Sequence, residues 1–219
     1  MRDFVVHSIP GSPFGRAVLM VMEEKGFPYR FAPVTPGAHR QAPHVAKHPF
    51  GRIPVLDHGD FTLYETQAIL RYLDRILPEP PLSPADPKTA ARMDQLMNIN
   101  DWYFFQGVGN TIGFERVVKP ALRGLTPDEA VIAAAMPQAE TVFNEIARLL
   151  GDNPFLVGDT VSLADIMLAP QIDFFVGIPE WETLAGPHSN LQSWITRMNE
   201  RPSMKATTWP QVNAMAQAA

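Results

Sequence analysis

The sequence contains no cysteine. That absence excludes a disulfide scaffold, a thiolate metal site and a redox thiol carried by the chain itself, so any thiol chemistry must use a thiol brought in by a ligand. The chain also lacks an apolar run of the ~18 residues needed to cross a bilayer as a helix. It has no basic stripe, and its formal charge is −5, which argues against a nucleic-acid surface. Met1-Arg2-Asp3 leads straight into a strand pattern, with no apolar stretch of the kind a secretory leader carries, so cytoplasmic residence is the expectation. No internal repeat or low-complexity segment interrupts the chain. Proline, by contrast, is plentiful at 22 of 219 residues, and it is unevenly placed.

Its densest cluster divides the chain. Leu77 to Pro87 holds five prolines, too many for a helix or a central strand, and reads as a stiff linker. The expected domains are therefore residues 1–78, a linker over 79–87, and residues 88–219. Before the linker, Asp3 to Ser8 is a β-branched and aromatic run closed by Pro10-Gly11, and Pro13 to Lys25 is helical with a stop at Gly26. Tyr29 to Val34 alternates as a second strand, which makes a parallel strand-helix-strand unit. A short helical piece follows over Ala42 to Lys47. Val55 to Asp57 and Phe61 to Tyr64 flank a tight turn as a hairpin. Glu65 to Leu77 closes the domain as a helix, with Ala68, Ile69, Tyr72, Leu73 and Ile76 on its core face. The order is βαβ-α-ββα.

After the linker the pattern is helical throughout. Met93, Leu96, Met97, Tyr103 and Phe104 follow helical spacing, with Asn100 the one polar residue on that face and a bend allowed at Gly107-Val108-Gly109. Thr126-Pro127-Asp128-Glu129 reads as a capping box with Thr126 at the N-cap, opening a helix that ends at Leu150-Gly151 and kinks at Pro137. Ser162 and Asp165 form a second capping box. A helix over Leu191 to Glu200 follows, and the tail from Ala206, carrying Trp209, lays a short helix back across the structure.

Several stretches have residue types suited to chemistry. Ser12 sits where the first strand ends and the first helix begins, with Pro13 at the first helical position, where its missing N–H costs nothing. Two readings stay open for it: a plain helix cap, or a hydroxyl at the positive end of a helix dipole, where an anion such as a thiolate is stabilised. Pro54, between Ile53 and Val55 at a strand entrance, fits either an edge proline in trans or a cis bond. The cis form would turn the Ile53 backbone outward, free to pair with an extended peptide. Glu65-Thr66 opens a helix, either as a complement to its dipole or as a pair that holds an ammonium and a carboxylate. His44 and His48 stand four apart with His39 nearby, but no accompanying Glu completes a metal motif and Pro49 ends the helix, so no metal site is expected. The glycines of Gly107 to Gly113 lack the preceding strand and the spacing of a dinucleotide loop. Taken together, Ser12, Ile53-Pro54 and Glu65-Thr66 share one end of a small sheet, with His39, Arg40 and Arg52 on neighbouring loops. They describe a cleft for an extended zwitterionic peptide that carries a thiol.

With these residues in hand, the chain resembles the cytosolic glutathione S-transferases over essentially its full length. Ser12 to Val18 with Glu23 to Gly26, then Pro49 to Leu56, then Tyr64 to Ile69 resemble that family's three glutathione-site blocks in order, and Leu156 to Asp159 with Val161 to Asp165 resembles its capped core helix. The serine-type members are the nearer match, particularly the phi class, where a His-Lys pair stands in the place of His39-Arg40. The resemblance implies a thioredoxin-like first domain with a cis bond at Pro54, an all-helical second domain, a homodimer, and a detoxifying transferase. It implies that Ser12 hydrogen-bonds the glutathione sulfur, that His39 and Arg40 hold the glycyl carboxylate, that Ile53 pairs with the cysteinyl backbone, and that Glu65 and Thr66 hold the γ-glutamyl end. Thr66 replaces the commoner Ser, and Arg52 stands where Lys or Gln is usual, which leaves its partner open. The second substrate would be apolar and electrophilic, held between the domains, with Phe14 on one side and Trp102, Phe105 and Phe114 on the other. Glutathione is the co-substrate implied, with no metal. Two other functions share these residues: a glutathione-dependent disulfide reductase or peroxidase, and a non-catalytic carrier of apolar ligands or partners.

Overall fold

The computed structural model describes residues 3–218. Compactness groups the residues up to Ser83 with those from Asn199 onward, and groups Pro84–Met198 separately. The first unit is built on strands β1 (Phe4–Ser8), β2 (Arg30–Pro33), β3 (Val55–His58) and β4 (Phe61–Tyr64), in sheet order β2-β1-β3-β4. The β1–β2 pair is parallel and the other two pairs are antiparallel, as the sequence patterns imply. Helices α1 (Pro13–Glu24), α2 (His44–Lys47) and α3 (Thr66–Ile76) complete the thioredoxin-like arrangement. Val6, Val18, Met22, Leu56, Ile69, Leu70 and Leu73 are fully buried and form its core.

The buried face of α3 is rotated from the one its apolar residues suggest. Ala68 and Ile76 are exposed, while Leu70 and Asp74 are buried. The cause is an ion pair. Lys25, at the C-terminal end of α1, donates from Nζ to Asp74 Oδ1 at 2.6 Å and to the Pro80 carbonyl at 2.5 Å, and the same carboxylate oxygen accepts from the Leu82 N–H at 3.0 Å. This buried pair orients α3 and holds the proline-rich segment against α1.

The second unit begins with α4 (Pro87–Ile99) and continues through a wider, π-type helical segment, Asn100–Val118, into α5 (Lys119–Arg123). In the π segment Asn100, Phe104, Val108 and Ile112 are buried and recur every fourth residue, as a turn wider than the 3.6 residues of an α-helix requires. Phe104 therefore packs in the core, with ring centroids 5.7 Å from Phe143 and 5.5 Å from Phe175. Tyr103, placed on the core face by α-helical spacing, is exposed instead.

Helix α6 (Glu129–Leu150) ends at Gly151 as expected, but its cap is Asp128 and not Thr126. The Asp128 side chain accepts from the N–H groups of Ala130 and Val131, and Glu115 accepts from its own N–H. Helix α7 (Leu163–Asp173) starts with the anticipated Ser162–Asp165 box. Asp165 is fully buried and also accepts from Leu156 N and from Trp194 Nε1, both at 2.8 Å. Helices α8 (Trp181–Ala185) and α9 (Ser189–Glu200) follow, and then α10 (Pro202–Ala206) and α11 (Trp209–Ala218). These last two pack in the first unit, α10 on α1 and α11 on β2. No helix among the described residues is long and apolar enough to cross a membrane.

Candidate active site

Strand register brings the expected site segments to one end of the first unit's sheet. Val55 pairs with His7 on one side and with Tyr64 on the other. The chain leaving β1 toward Ser12, the chain entering β3 through Ile53-Pro54, and the chain leaving β4 at Glu65 therefore emerge together.

Ser12 is the N-cap of α1. The turn before it needs Gly11, whose φ of +86° a side chain would resist, and the Ser12 N–H closes that turn on the Ile9 carbonyl at 3.0 Å. Ser12 Oγ accepts from the Gly15 N–H at 3.3 Å. That bond uses an oxygen lone pair and leaves the hydroxyl proton available to a further acceptor. Gly15 is required by close approach, because a Cβ there would lie 2.1 Å from Ser8 Oγ. Phe14 is half-buried on the first turn of α1.

The Ile53-Pro54 bond is cis. Among the described residues, neither the N–H nor the carbonyl of Ile53 has a backbone partner. The loop ahead of it is held by His44, whose buried ring bonds the Arg52 carbonyl through Nε2 at 2.7 Å. His44 is thus a strut for the loop, and the Arg52 side chain is exposed. Among the described residues no group of three or more His, Asp or Glu is placed to hold a metal ion.

Glu65 is the one non-glycine described residue in a left-handed conformation, φ 70° and ψ 115°. Its exposed side chain does not cap α3, and Thr66 behind it is buried. A bulky residue held at positive φ without a capping role is strained backbone of the kind that clusters at active sites and ligand clamps.

His39 and Arg40 lie on a single 3₁₀ turn, Ala38–Arg40. His39 Nδ1 accepts from the Gly37 N–H at 3.2 Å, so the ring proton resides on Nε2. Burial, followed by the nearby charges of Arg40 and His44, lowers the His39 pKa, and the ring is a neutral donor at pH 7. Arg40 is exposed beside it. Gly51, at φ +58°, lets the two loops touch: a Cβ there would lie 3.2 Å from the His39 carbonyl oxygen.

The other expected residues, Trp102, Phe105 and Phe114, lie on the π segment of the second unit. Trp102 is 68% exposed, whereas Phe105 and Phe114 are half-buried and the Arg123 guanidinium stacks over the Phe114 ring. Residue type alone signals neither the His44 strut nor the Glu65 backbone, and although the tail that carries Trp209 is expected to lie back across the structure, nothing in the pattern names Gly11 as the residue its indole touches.

A family model described as the glutathione S-transferase N-terminal domain matches residues 6–81, and one described as the C-terminal domain matches residues 129–197. Glutathione S-transferase F7 of Arabidopsis thaliana is 28% identical over 209 residues, covering 94% of this chain and 99% of that protein. Glutathione S-transferase 3 of Zea mays is 30% identical over 211 residues, covering 94% of each. The crystal structure of glutathione transferase F7 from Populus trichocarpa superposes with a TM-score of 0.83 at 26% identity, covering 97% of this chain and 99% of that one. With both family domains in order on a four-stranded mixed sheet and a helical unit, and with phi-class relatives matching along nearly its whole length, the chain belongs to the glutathione S-transferase family of enzymes.

Proposed function

We propose that the chain conjugates glutathione to apolar electrophiles, with Ser12 as the catalytic residue that stabilises the glutathione thiolate. The observation that carries this reading is the state of Ser12: an N-cap whose hydroxyl oxygen is engaged by Gly15 while its proton is available, at the positive end of α1. A free thiol has a pKa near ~8.5 and is only a few per cent ionised at pH 7. A hydroxyl hydrogen bond and a helix N-terminus both favour the anion. Lowering that pKa by ~2 units, about 2.7 kcal/mol, makes most of the bound thiol reactive at neutral pH. The thiol proton leaves to water; Ser12 need not act as a base. The sulfur then attacks the electrophilic carbon and forms the thioether as the leaving group departs.

In this reading the neutral His39, donating from Nε2–H, and the exposed Arg40 bind the glycyl carboxylate. Ile53 lends its unpaired N–H and carbonyl to the cysteinyl residue in the manner of strand addition. Glu65 takes the γ-glutamyl ammonium, and Thr66 takes the adjoining carboxylate. Arg52 is a third cation within reach of these loops. Phe14, on the first turn of α1 beside Ser12, is the apolar group assigned to the second substrate. A cytoplasmic homodimer completes the reading, the second copy covering Phe50, which is 70% exposed and stands edge-on to the Tyr64 ring.

The test is glutathione calorimetry followed by aryl-halide conjugation, disulfide reduction and peroxide reduction run side by side. Conjugation should dominate. No heat at millimolar glutathione would overturn the reading, and so would turnover confined to disulfides or peroxides.

A further inference from the structure

The chain's last segment reaches the Ser12 turn. Gly11, the residue before Ser12, has no room for a side chain because a Cβ would lie 2.8 Å from both Cδ2 and Cε2 of the Trp209 indole. Trp209 opens α11, and α11 packs along β2 in the same unit as the Ser12 turn. The segment is docked on α1 by bonds that do not involve Trp209. Arg16, one turn beyond Ser12, donates to the Met204 carbonyl at 2.9 Å and to Thr207 Oγ1 at 3.4 Å. Glu24, at the far end of α1, accepts a forked pair from Arg201 at 2.8 and 2.7 Å and a bond from Ser203.

We propose that Trp209 is a positioning residue for Ser12: its indole is the wall against which the Pro10-Gly11 turn is set, and so it fixes where the Ser12 hydroxyl points. This rests on the thiolate-stabilising role given to Ser12 above. The turn is held from two sides, by Trp209 at Gly11 and by Ser8 beneath Gly15, where the approach is tighter still. Docking of the segment is secured by Arg16 and Glu24, whereas the indole is what touches the turn itself. Removing the indole therefore loosens the hydroxyl without undocking the segment. A hydrogen bond to a thiolate is sensitive to donor placement, and displacement on the scale of 1 Å has large effects on a preorganised site.

The experiment compares wild type, Trp209→Ala, Trp209→Phe and Arg201→Ala in three measurements: ultraviolet titration of the glutathione thiol in the binary complex, the pH profile of kcat/KM for an aryl halide, and calorimetry with S-methylglutathione, which has no thiol proton. For Trp209→Ala the thiol midpoint should rise by about one pH unit and kcat/KM should fall about tenfold at neutral pH. The deficit should close at alkaline pH, where the thiol ionises in both proteins. Affinity for S-methylglutathione should stay within about twofold, Trp209→Phe should restore the profile, and Arg201→Ala should lower stability without moving the midpoint. An unchanged midpoint in Trp209→Ala overturns the proposal, as does an equal loss of S-methylglutathione affinity or an equal midpoint shift in Arg201→Ala. If Trp209→Ala does not fold, Gly11→Ala decides: its new Cβ must displace the turn or the indole and raise the midpoint, and an unmoved midpoint refutes the assignment. A wild-type midpoint equal to that of free glutathione would instead refute the role of Ser12.

Discussion

Truncating Asp74 to alanine should be among the most damaging single changes outside the site. Lys25 is fully buried and Asp74 is 8% exposed, so neither partner can turn to water when the other is lost. Breaking a buried pair from one side costs about 3–5 kcal/mol, chiefly because an uncompensated charge is left behind. Here the Leu82 N–H also loses its acceptor, an unsatisfied donor that costs about 1–3 kcal/mol when buried. The two terms overlap, since both describe one environment, and a total of about 4 kcal/mol is reasonable. For a chain of this length that corresponds to a fall in Tm of about 8–16 °C. Replacing both partners with apolar residues, Lys25→Met with Asp74→Leu, removes the stranded charge and should recover most of the loss. Thermal melting and urea titration of wild type, Asp74→Ala, Lys25→Met, Asp74→Leu and the double variant read the result. An Asp74→Ala protein within 1 kcal/mol of wild type would refute the reasoning, and so would a double variant worse than the sum of the singles.

Other consequences are open to measurement. Arg40→Ala should weaken glutathione about tenfold in calorimetry, the scale of one charge-assisted hydrogen bond, and the difference should vanish with the glycyl monoester, which lacks the carboxylate that Arg40 is assigned. Burial alone would raise the Asp57 pKa, but hydrogen bonds from Lys47, Thr62 and His7 outweigh it and hold the carboxyl at about 2. A depressed carboxyl stabilises the fold above its ordinary titration near pH 4 and loses that contribution as pH falls toward 2. Asp57→Asn should therefore cost about 1 kcal/mol at pH 7, after discounting for solvent, and only a small remainder at pH 2, where the native carboxyl is about half protonated, as denaturant midpoints at the two pH values would report. Glu65→Gly should relieve the positive φ and raise stability by about 1 kcal/mol while weakening glutathione, a trade visible by combining melting with calorimetry.

What the sequence reveals is local. The Ser162–Asp165 box, the stop at Gly151, the βαβ-α-ββα order and the hairpin at Gly59 all depend on neighbours a few residues apart, and they appear where the residue types put them. What it hides depends on partners far along the chain. The buried face of α3 departs from the apolar pattern because Asp74 is buried by Lys25, 49 residues away, and periodicity counts only apolar side chains. Helical spacing puts both Tyr103 and Phe104 on the core face, and a turn wider than an α-helix decides that Phe104, and not Tyr103, faces inward. In the site, Ser12 and the pair Glu65-Thr66 were legible as helix starts. The left-handed backbone of Glu65 was not, because no residue type announces it. The partner of Trp209 is hidden for the same reason as that of Asp74: the tail is expected to fold back, but Gly11 and Trp209 meet across nearly the whole chain.

The account stands on the state of one sulfur atom. The most direct measurement is ultraviolet titration of the glutathione thiol bound to wild type and to Ser12→Ala, with binding of S-methylglutathione confirming that both sites are filled. The account predicts a wild-type midpoint about 2 units below that of free glutathione and a Ser12→Ala midpoint returned most of the way to it. Identical midpoints in the two proteins would contradict it.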